Sequence, residues 1–298
     1  FTIPENQVLH LAENRGFFSS ETRDVSGVVI TASEPVAVFT GATIVNIPDE
    51  PIVANPPAGC KTTSQSCVSN GDCCSGLCGY DVRFQTHQCV NSFQAGDHIE
   101  QQLFPVESWG TSYVAAPFFN RGSNDFVMYR LVAATDGTTV TLDPPVDGVS
   151  SFTLNRGQYR QIVSADAFEL TASNPVMLAQ FMIGGQNSAA GDGDPAFMIP
   201  PAEQQYRDSY VFLVPANYDN NYVTLIKRAG TQVTLDGAAV AQSEFIAVGG
   251  TSTWEYALIN GVAQGVHRAS STERFGVIVH GMDEYISYAF AGGIILPE

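Results

Sequence analysis

The fold depends on a pattern that occurs in Phe168-Glu-Leu-Thr-Ala-Ser-Asn-Pro-Val-Met-Leu-Ala-Gln-Phe181 and is repeated elsewhere in the chain. A close copy is Ile30-Thr-Ala-Ser-Glu-Pro-Val-Ala-Val-Phe39. A looser copy is His267-Arg-Ala-Ser-Ser-Thr-Glu-Arg-Phe-Gly-Val-Ile-Val279, with two extra residues before its apolar run. Each copy predicts a short strand, a small polar turn and a second, more apolar strand. The repetition indicates a fold built from related units.

Two further segments match each other in the same way. Gly137-Thr-Thr-Val-Thr-Leu-Asp143 corresponds to Gly230-Thr-Gln-Val-Thr-Leu-Asp236, and each follows a strand that starts with tyrosine, at Tyr129 and Tyr222. These matches predict three related β units of roughly 95 residues. Unit one is expected in residues 1–45 and 91–125, which also hold the start of unit two. Unit two is expected in 126–205 and unit three in 206–298. Unit one lacks its opening strands or borrows them from the C-terminal end.

The fold class follows from the absence of any long helical period. The 27 glycines and 16 prolines are spread through the chain, which is typical of short strands joined by turns. The first strands are expected at residues 7–11, 27–31 and 36–39. The predicted fold is all-β, with three tandem units that resemble sandwiches or jelly rolls in a pseudo-threefold arrangement. A propeller-like closed ring is the alternative.

The charge balance restricts the partners. The chain has 30 Asp and Glu against 13 Lys and Arg, a net charge of −17. Nucleic acid and anionic lipid surfaces both attract basic proteins, so neither is expected as a partner. No run approaches the roughly 18 apolar residues of a membrane span. The composition remains compatible with divalent cations, basic partners or simple solubility.

All six cysteines lie between Cys60 and Cys89. Residues 46–90 are therefore expected to form a proline-rich linker followed by a small insertion in a loop of unit one. Metal binding would favour paired Cys-x2-Cys spacing, and the adjacent Cys73 and Cys74 suit a tetrahedral site poorly. A module this small has almost no apolar core, which is typical of a disulfide framework.

The cysteine spacing resembles that of the inhibitor cystine knot, or knottin, family. The matching stretch is Cys67-Val-Ser-Asn-Gly-Asp-Cys-Cys-Ser-Gly-Leu-Cys78 together with Cys60 and Cys89. The resemblance implies an oxidising compartment. It also implies three disulfides, out of the 15 sets that six cysteines allow, namely Cys60–Cys74, Cys67–Cys78 and Cys73–Cys89.

A second resemblance extends over nearly all of the chain outside this insertion. The ordered segments Pro35-Val-Ala-Val-Phe-Thr-Gly41, Asp97-His-Ile-Glu-Gln-Gln-Leu-Phe-Pro105 and Phe275-Gly-Val-Ile-Val-His-Gly281 resemble the IgGFc-binding protein N-terminal domain family. That family occurs in secreted mucin-associated proteins and bacterial surface proteins. The resemblance implies an extracellular, non-enzymatic binding or adhesion module. The knottin and the absence of other cysteines depart from the family, so binding of immunoglobulin Fc is not carried over.

The sequence contains no catalytic signature such as a nucleophile elbow, a P-loop or a His-Glu-x-x-His motif. The chain is therefore expected not to be an enzyme, and no cofactor is expected except possible calcium. Asp192 and Asp194, in a glycine-rich loop, are weak calcium candidates, because calcium prefers oxygen ligands. Asp97, His98 and Glu100 form the tightest polar cluster, which a turn explains as well as a site.

The loop from Cys78 to Cys89 is the predicted binding site. It concentrates Tyr80, Arg83, Phe84 and His87, and a module this small cannot bury them all. The predicted function is extracellular adhesion to a surface protein or glycan of a host, prey or matrix, by a secreted or surface-attached chain without membrane insertion. The alternatives are a secreted glycan-active enzyme and a knottin-type inhibitor or ligand displayed on a β carrier. The aromatic residues of the loop could instead anchor the knottin on the β body.

Overall fold

The structure is a computed structural model that describes residues 2–4, 7–9, 26–47, 58–68, 72–75, 78–81, 86–89, 96–122, 125–185 and 192–296. At strand positions 43, 44, 46, 79–81, 86 and 87 only the backbone is described. Strands dominate these residues, and their only complete helical elements are three short 3₁₀ turns, at Val106–Ser108, Glu203–Gln205 and Gln242–Glu244. The predicted all-β class is confirmed.

The N-terminal part contains β1 (Phe39–Asn46), β2 (Cys78–Asp81), β3 (Thr86–Cys89) and β4 (Gly96–Gln102). β1 pairs with β4, and β2 pairs with β3 inside the cysteine-rich insertion. The predictions of strands at 7–11 and 27–31 are wrong for the described residues, because 7–9 and 27–31 pair with no other strand in the part of the chain that the structure describes. His10 and Leu11 lie outside the described residues. The strand expected at 36–39 begins only at Phe39.

The next sheet has seven strands and is organised by one long strand. Its members are β5 (Gly110–Ala115), β6 (Val127–Ala133), β7 (Thr138–Val146), β8 (Val149–Leu154), β9 (Tyr159–Ser164), β10 (Phe168–Met182) and β11 (Ala196–Met198). The first half of β10 pairs with β5 and β7, and the second half pairs with β6 and β11. The sheet curls so that the two halves face each other, and Tyr129 and Phe168 meet edge to face with ring centroids 5.2 Å apart.

The last sheet repeats this plan with eight strands. They are β12 (Arg207–Val214), β13 (Asn220–Arg228), β14 (Val233–Leu235), β15 (Ala238–Ala239), β16 (Ile246–Ala247), β17 (Trp254–Asn260), β18 (Gly265–Asp283) and β19 (Ile286–Ala291). The first half of β18 pairs with β12 and β14, and the second half with β13 and β19. We call the strands on the first half of each long strand the first-half layer and the others the second-half layer.

Strand pairing aligns the two curled sheets residue by residue. Tyr113 lies opposite Leu170, and Tyr210 lies opposite Ala269. The strands on the other edge of β10 and β18 show the same correspondence. Leu170 also pairs with Leu142, and Ala269 also pairs with Leu235. Ala269 therefore corresponds to Leu170 and not to Ala172, and the two extra residues inferred for the third copy disappear. The similarity of the two sequences suggested an alignment that is wrong by two residues. A shift of two residues keeps every side chain on the same face of the sheet, so the residue pattern does not reveal the error.

Three apolar clusters hold the sheets together. One lies inside the last sheet and includes Val223, Leu225 and Val277. A larger one fills the seven-stranded sheet and extends onto the second-half layer of the last sheet, through Tyr222 and Tyr256. The third covers the second-half layer of the seven-stranded sheet with residues of the first hairpin, among them Ala42, Val45, Ile47 and Ile99. The three parts therefore stack in chain order. The described residues show two curled sheets and no closed ring, and the unit boundaries stay predictions.

Candidate binding site

The cysteine-rich insertion is held by three disulfides. Cys60 joins Cys74, Cys67 joins Cys78 and Cys73 joins Cys89. This is the set that the knottin resemblance implies, and it leaves none of the six sulfurs as a thiolate ligand for a metal. Four of the six cysteines, Cys67, Cys73, Cys78 and Cys89, form a small buried cluster of their own. A parallel bridge between Lys61 and Cys73 adds backbone support.

The predicted binding loop is the hairpin of β2 and β3. Cys78 lies opposite Cys89 at its base, and Tyr80 lies opposite His87 further out. Each base cysteine is also bonded to another part of the insertion, so both strands are anchored where the loop begins. Only the backbone is described at Tyr80 and His87, and Arg83 and Phe84 lie outside the described residues. The role of these four side chains stays a prediction.

The insertion lies at the tip of a hairpin that occurs three times. β1 and β4 form the first such hairpin, β10 and β11 the second, and β18 and β19 the third. The return strand β11 contacts both β4 and β19. The tips are joined by backbone hydrogen bonds, from Gly184 N–H to the Ile47 carbonyl (3.1 Å) and from Gly193 N–H to the Asp283 carbonyl (2.9 Å). The knottin therefore leaves the body where three hairpin tips meet.

A buried arginine fixes the second of these tips. Arg121 forms two charge-assisted hydrogen bonds of 2.8 Å to the carboxylate of Asp125. Two further donors bond the carbonyl oxygens of Ile183 (3.0 Å) and Asp192 (3.1 Å). Both charged side chains are almost fully buried. Because the pair is desolvated and each partner is hydrogen-bonded to the other, losing either one would leave a costly buried charge.

The calcium candidates belong to this same region. Asp192 pairs with Glu284 across a short bridge, and the backbone N–H of Asp194 donates to the Ser287 hydroxyl (3.0 Å). Burial raises the pKa of Asp194, nearby Asp97 raises it further, and Arg121 opposes both. Among the described residues, the only three side chains close enough to share an ion are disulfide-bonded cysteines. Calcium binding therefore stays a prediction.

Comparison with known proteins identifies the family. The family model described as IgGFc binding protein matches residues 82–281. The chain belongs to the IgGFc-binding protein family. The IgGFc-binding protein of Homo sapiens is 28% identical over 216 residues, which is 69% of this chain and 4% of that protein. The chain thus spans a small fraction of this relative. No solved structure matches this chain.

In this IgGFc-binding family member, the family match covers the seven-stranded sheet and most of the last one, from just before β3 to Gly281 near the end of β18. Most of the knottin precedes the match. None of the helical elements in the described residues is long and apolar enough to cross a membrane.

Three further polar or aromatic side chains of the family member have partners close in the fold. His98 forms an exposed pair with Glu100 at 3.4 Å. Trp254 is buried beneath Arg228, whose guanidinium carbon lies 4.0 Å from the ring centroid, so this tryptophan offers no exposed platform for a sugar. The indole N–H of Trp109 donates to the Phe104 carbonyl (3.1 Å).

Sequence reasoning missed a buried histidine between the two curled sheets. His280 stacks on Tyr222 with ring centroids 5.1 Å apart, and its Nε2 accepts a hydrogen bond from the Phe119 N–H (3.1 Å). Burial, assisted by Arg121, lowers the pKa of His280 to about 3. The ring is therefore neutral and carries its proton on Nδ1. The motif Val279-His280-Gly281 gave no hint of this role, because Tyr222 lies on the neighbouring strand β13 and Phe119 follows β5, and both are distant in sequence.

Proposed function

We propose that the chain is an extracellular binding module that attaches to a surface protein or glycan through the loop between Cys78 and Cys89. The observation that carries this proposal is the anchoring of the loop. Both strands start at cysteines that face each other, and each is cross-linked to a separate part of the knottin. A loop restrained in this way loses little conformational entropy when it binds.

Charge supports the same loop. The charged residues between Cys60 and Cys89 are Lys61, Asp72, Asp81 and Arg83, which cancel, so the rest of the chain carries the net charge of −17. A partner can approach a neutral patch on an acidic body without strong repulsion. Tyrosine and arginine, which the loop supplies at Tyr80 and Arg83, are enriched at binding hot spots.

The family and the disulfides support the extracellular setting and a non-enzymatic role. Three disulfides persist in oxidising compartments. The human relative is named for binding IgG Fc. Because this chain corresponds to so small a part of that protein, Fc is only one of the surface proteins to be screened.

The test is a protein and glycan array probed with the whole chain and with a variant in which a short Gly/Ser linker replaces residues 59–90. The double variant Tyr80→Ala, Arg83→Ala should lose the signal and keep the wild-type melting temperature. The matched control is Tyr285→Ala with Arg156→Ala, which removes the same residue types from exposed positions of the β body. Binding that survives in the linker variant would move the site to the β body. Unchanged binding of the double variant with a melting temperature several degrees lower would make the loop an internal anchor.

A further inference from the structure

The outer face of the last sheet exposes three large apolar side chains. Val211 and Leu213 on β12 are 54% and 57% exposed, and Val266 on β18 is 66% exposed. They lie together, because Leu213 pairs directly with Val266 in the ladder and Val211 is two residues away on the same face. We call these residues the unit-three patch.

The equivalent positions of the seven-stranded sheet are buried. With Tyr113 matched to Tyr210, the register places Val114, Ala116 and Ala167 at the positions of Val211, Leu213 and Val266. These three residues are 1%, 1% and 4% exposed. The same face of the same layer is therefore covered in one sheet and open in the other.

The structure shows what covers the buried face. Val114 and Ala116 belong to the cluster that includes Tyr222 and Tyr256 from the second-half layer of the last sheet. Phe119, just after β5, stacks on Tyr222 with ring centroids 4.4 Å apart. The first-half layer of one part thus packs against the second-half layer of the next part along the chain. Among the described residues, none covers the unit-three patch in this way.

The other end of the stack also exposes apolar residues. Residues 28–39 precede and begin β1, and we call them the N-terminal segment. Its exposed members are Val28 (67%), Val29 (48%), Ile30 (55%), Val36 (52%) and Phe39 (59%). In the repeats this segment matches β10, whose first half is paired on both sides. Residues 28–31 are not part of a strand.

We propose that the unit-three patch binds the N-terminal segment of a second copy of the chain, head to tail. The patch would then be covered by apolar residues of another part, as its equivalent in the seven-stranded sheet already is. Charge fits the same occupant, because exposed Arg207 and Arg268 flank the patch and exposed Glu34 lies inside the segment. The acidic bodies repel each other weakly at physiological salt, where charges more than about 8 Å apart are screened.

The contact area sets the strength. A handful of side chains buries less than the roughly 1,600 Å² of a standard interface, so a dissociation constant on the order of tens of micromolar is expected. The weight-average mass of the whole chain, measured by sedimentation from about 1 to 300 µM, should therefore rise with concentration. Val211→Asp with Leu213→Asp should remain monomeric. Ile246→Asp, which alters an equally exposed residue on β16, should associate like wild type.

A mixing experiment tests the head-to-tail geometry. Val29→Asp with Val36→Asp should also be monomeric by itself. An equimolar mixture of this variant with the patch variant has one intact patch and one intact segment, so it should form a dimer and grow no further. The proposal would be overturned if wild type stayed monomeric at every concentration. It would also be overturned if the patch variant still associated, or if the mixture formed no dimer. Unchanged near-UV circular dichroism shows that the variants are folded.

Discussion

Tyr113 and Tyr210 perform the same task in the two curled sheets. The hydroxyl of Tyr113 accepts a hydrogen bond from the Gly110 N–H (3.1 Å) and donates to the Val176 carbonyl (2.6 Å). The hydroxyl of Tyr210 accepts from the Arg207 N–H (2.8 Å) and donates to the Phe275 carbonyl. In each sheet the tyrosine closes the gap where the long strand departs from the ladder.

Tyr113→Phe and Tyr210→Phe should each lower the free energy of unfolding by about 1–3 kcal/mol. Each substitution leaves a buried backbone donor and a buried backbone acceptor without a hydrogen-bond partner. Urea unfolding measures the change. Tyr285→Phe, at a position that is 66% exposed, is the control and should be neutral. A neutral Tyr113→Phe would mean that water replaces the hydroxyl.

His280 should make the protein sensitive to acid. Its pKa of about 3 in the folded state lies below the ordinary 6.5, mainly because of burial. The unfolded chain therefore binds the proton more readily, and stability should fall as the pH drops from 6.5 towards 3, by up to about 1.4 kcal/mol per pH unit. His280→Phe keeps the stacking on Tyr222 and should flatten this part of the pH profile. An unchanged profile would contradict a neutral buried imidazole.

His267 should act in the opposite direction. Burial alone would lower its pKa, but its hydrogen bonds to Asp236 (2.7 Å) and the Ala263 carbonyl (2.7 Å) outweigh burial and raise the pKa above 6.5. Both ring nitrogens face acceptors, so the charged form fits best. Its contribution is complete below pH 6.5 and is lost as the pH rises through the raised pKa. His267→Gln should remove that alkaline loss, and His98→Gln, at an exposed pair, should not.

Asp194 tests the calcium hypothesis. Its raised pKa means that the folded state favours the neutral acid, so stability falls as the pH rises from 3.8 through the folded pKa. Without calcium, Asp194→Asn should therefore be more stable than wild type at neutral pH. If the loop binds calcium, a few millimolar should raise the melting temperature of wild type only, as expected for extracellular sites. Equal melting of wild type in calcium and in chelator would end the hypothesis.

The sequence predicted strands in the repeats but wrongly divided β10 and β18 at a polar turn, since each is one continuous strand, and it missed contacts that depend on a neighbouring sheet. The Gly-Thr-x-Val-Thr-Leu-Asp segments predict β7 and β14, because the alternation of apolar and polar residues and the turn residues are local signals. Residues 27–31 have the same local pattern but form no strand, because a strand also needs a partner. No local pattern singles out Arg121, since its acceptors at Ile183 and Asp192 are distant in sequence.

The hairpin shared by the three parts offers a place for display engineering. The cysteine-rich insertion occupies the first hairpin tip. The third tip is a short turn, with only Glu284 and Tyr285 between the paired residues Asp283 and Ile286. Chain ends that already lie side by side accept long inserts at little entropic cost. A foreign cystine-rich peptide grafted at Glu284 would therefore emerge at the end that carries the knottin. The scaffold would then carry two cystine-rich inserts at the same end.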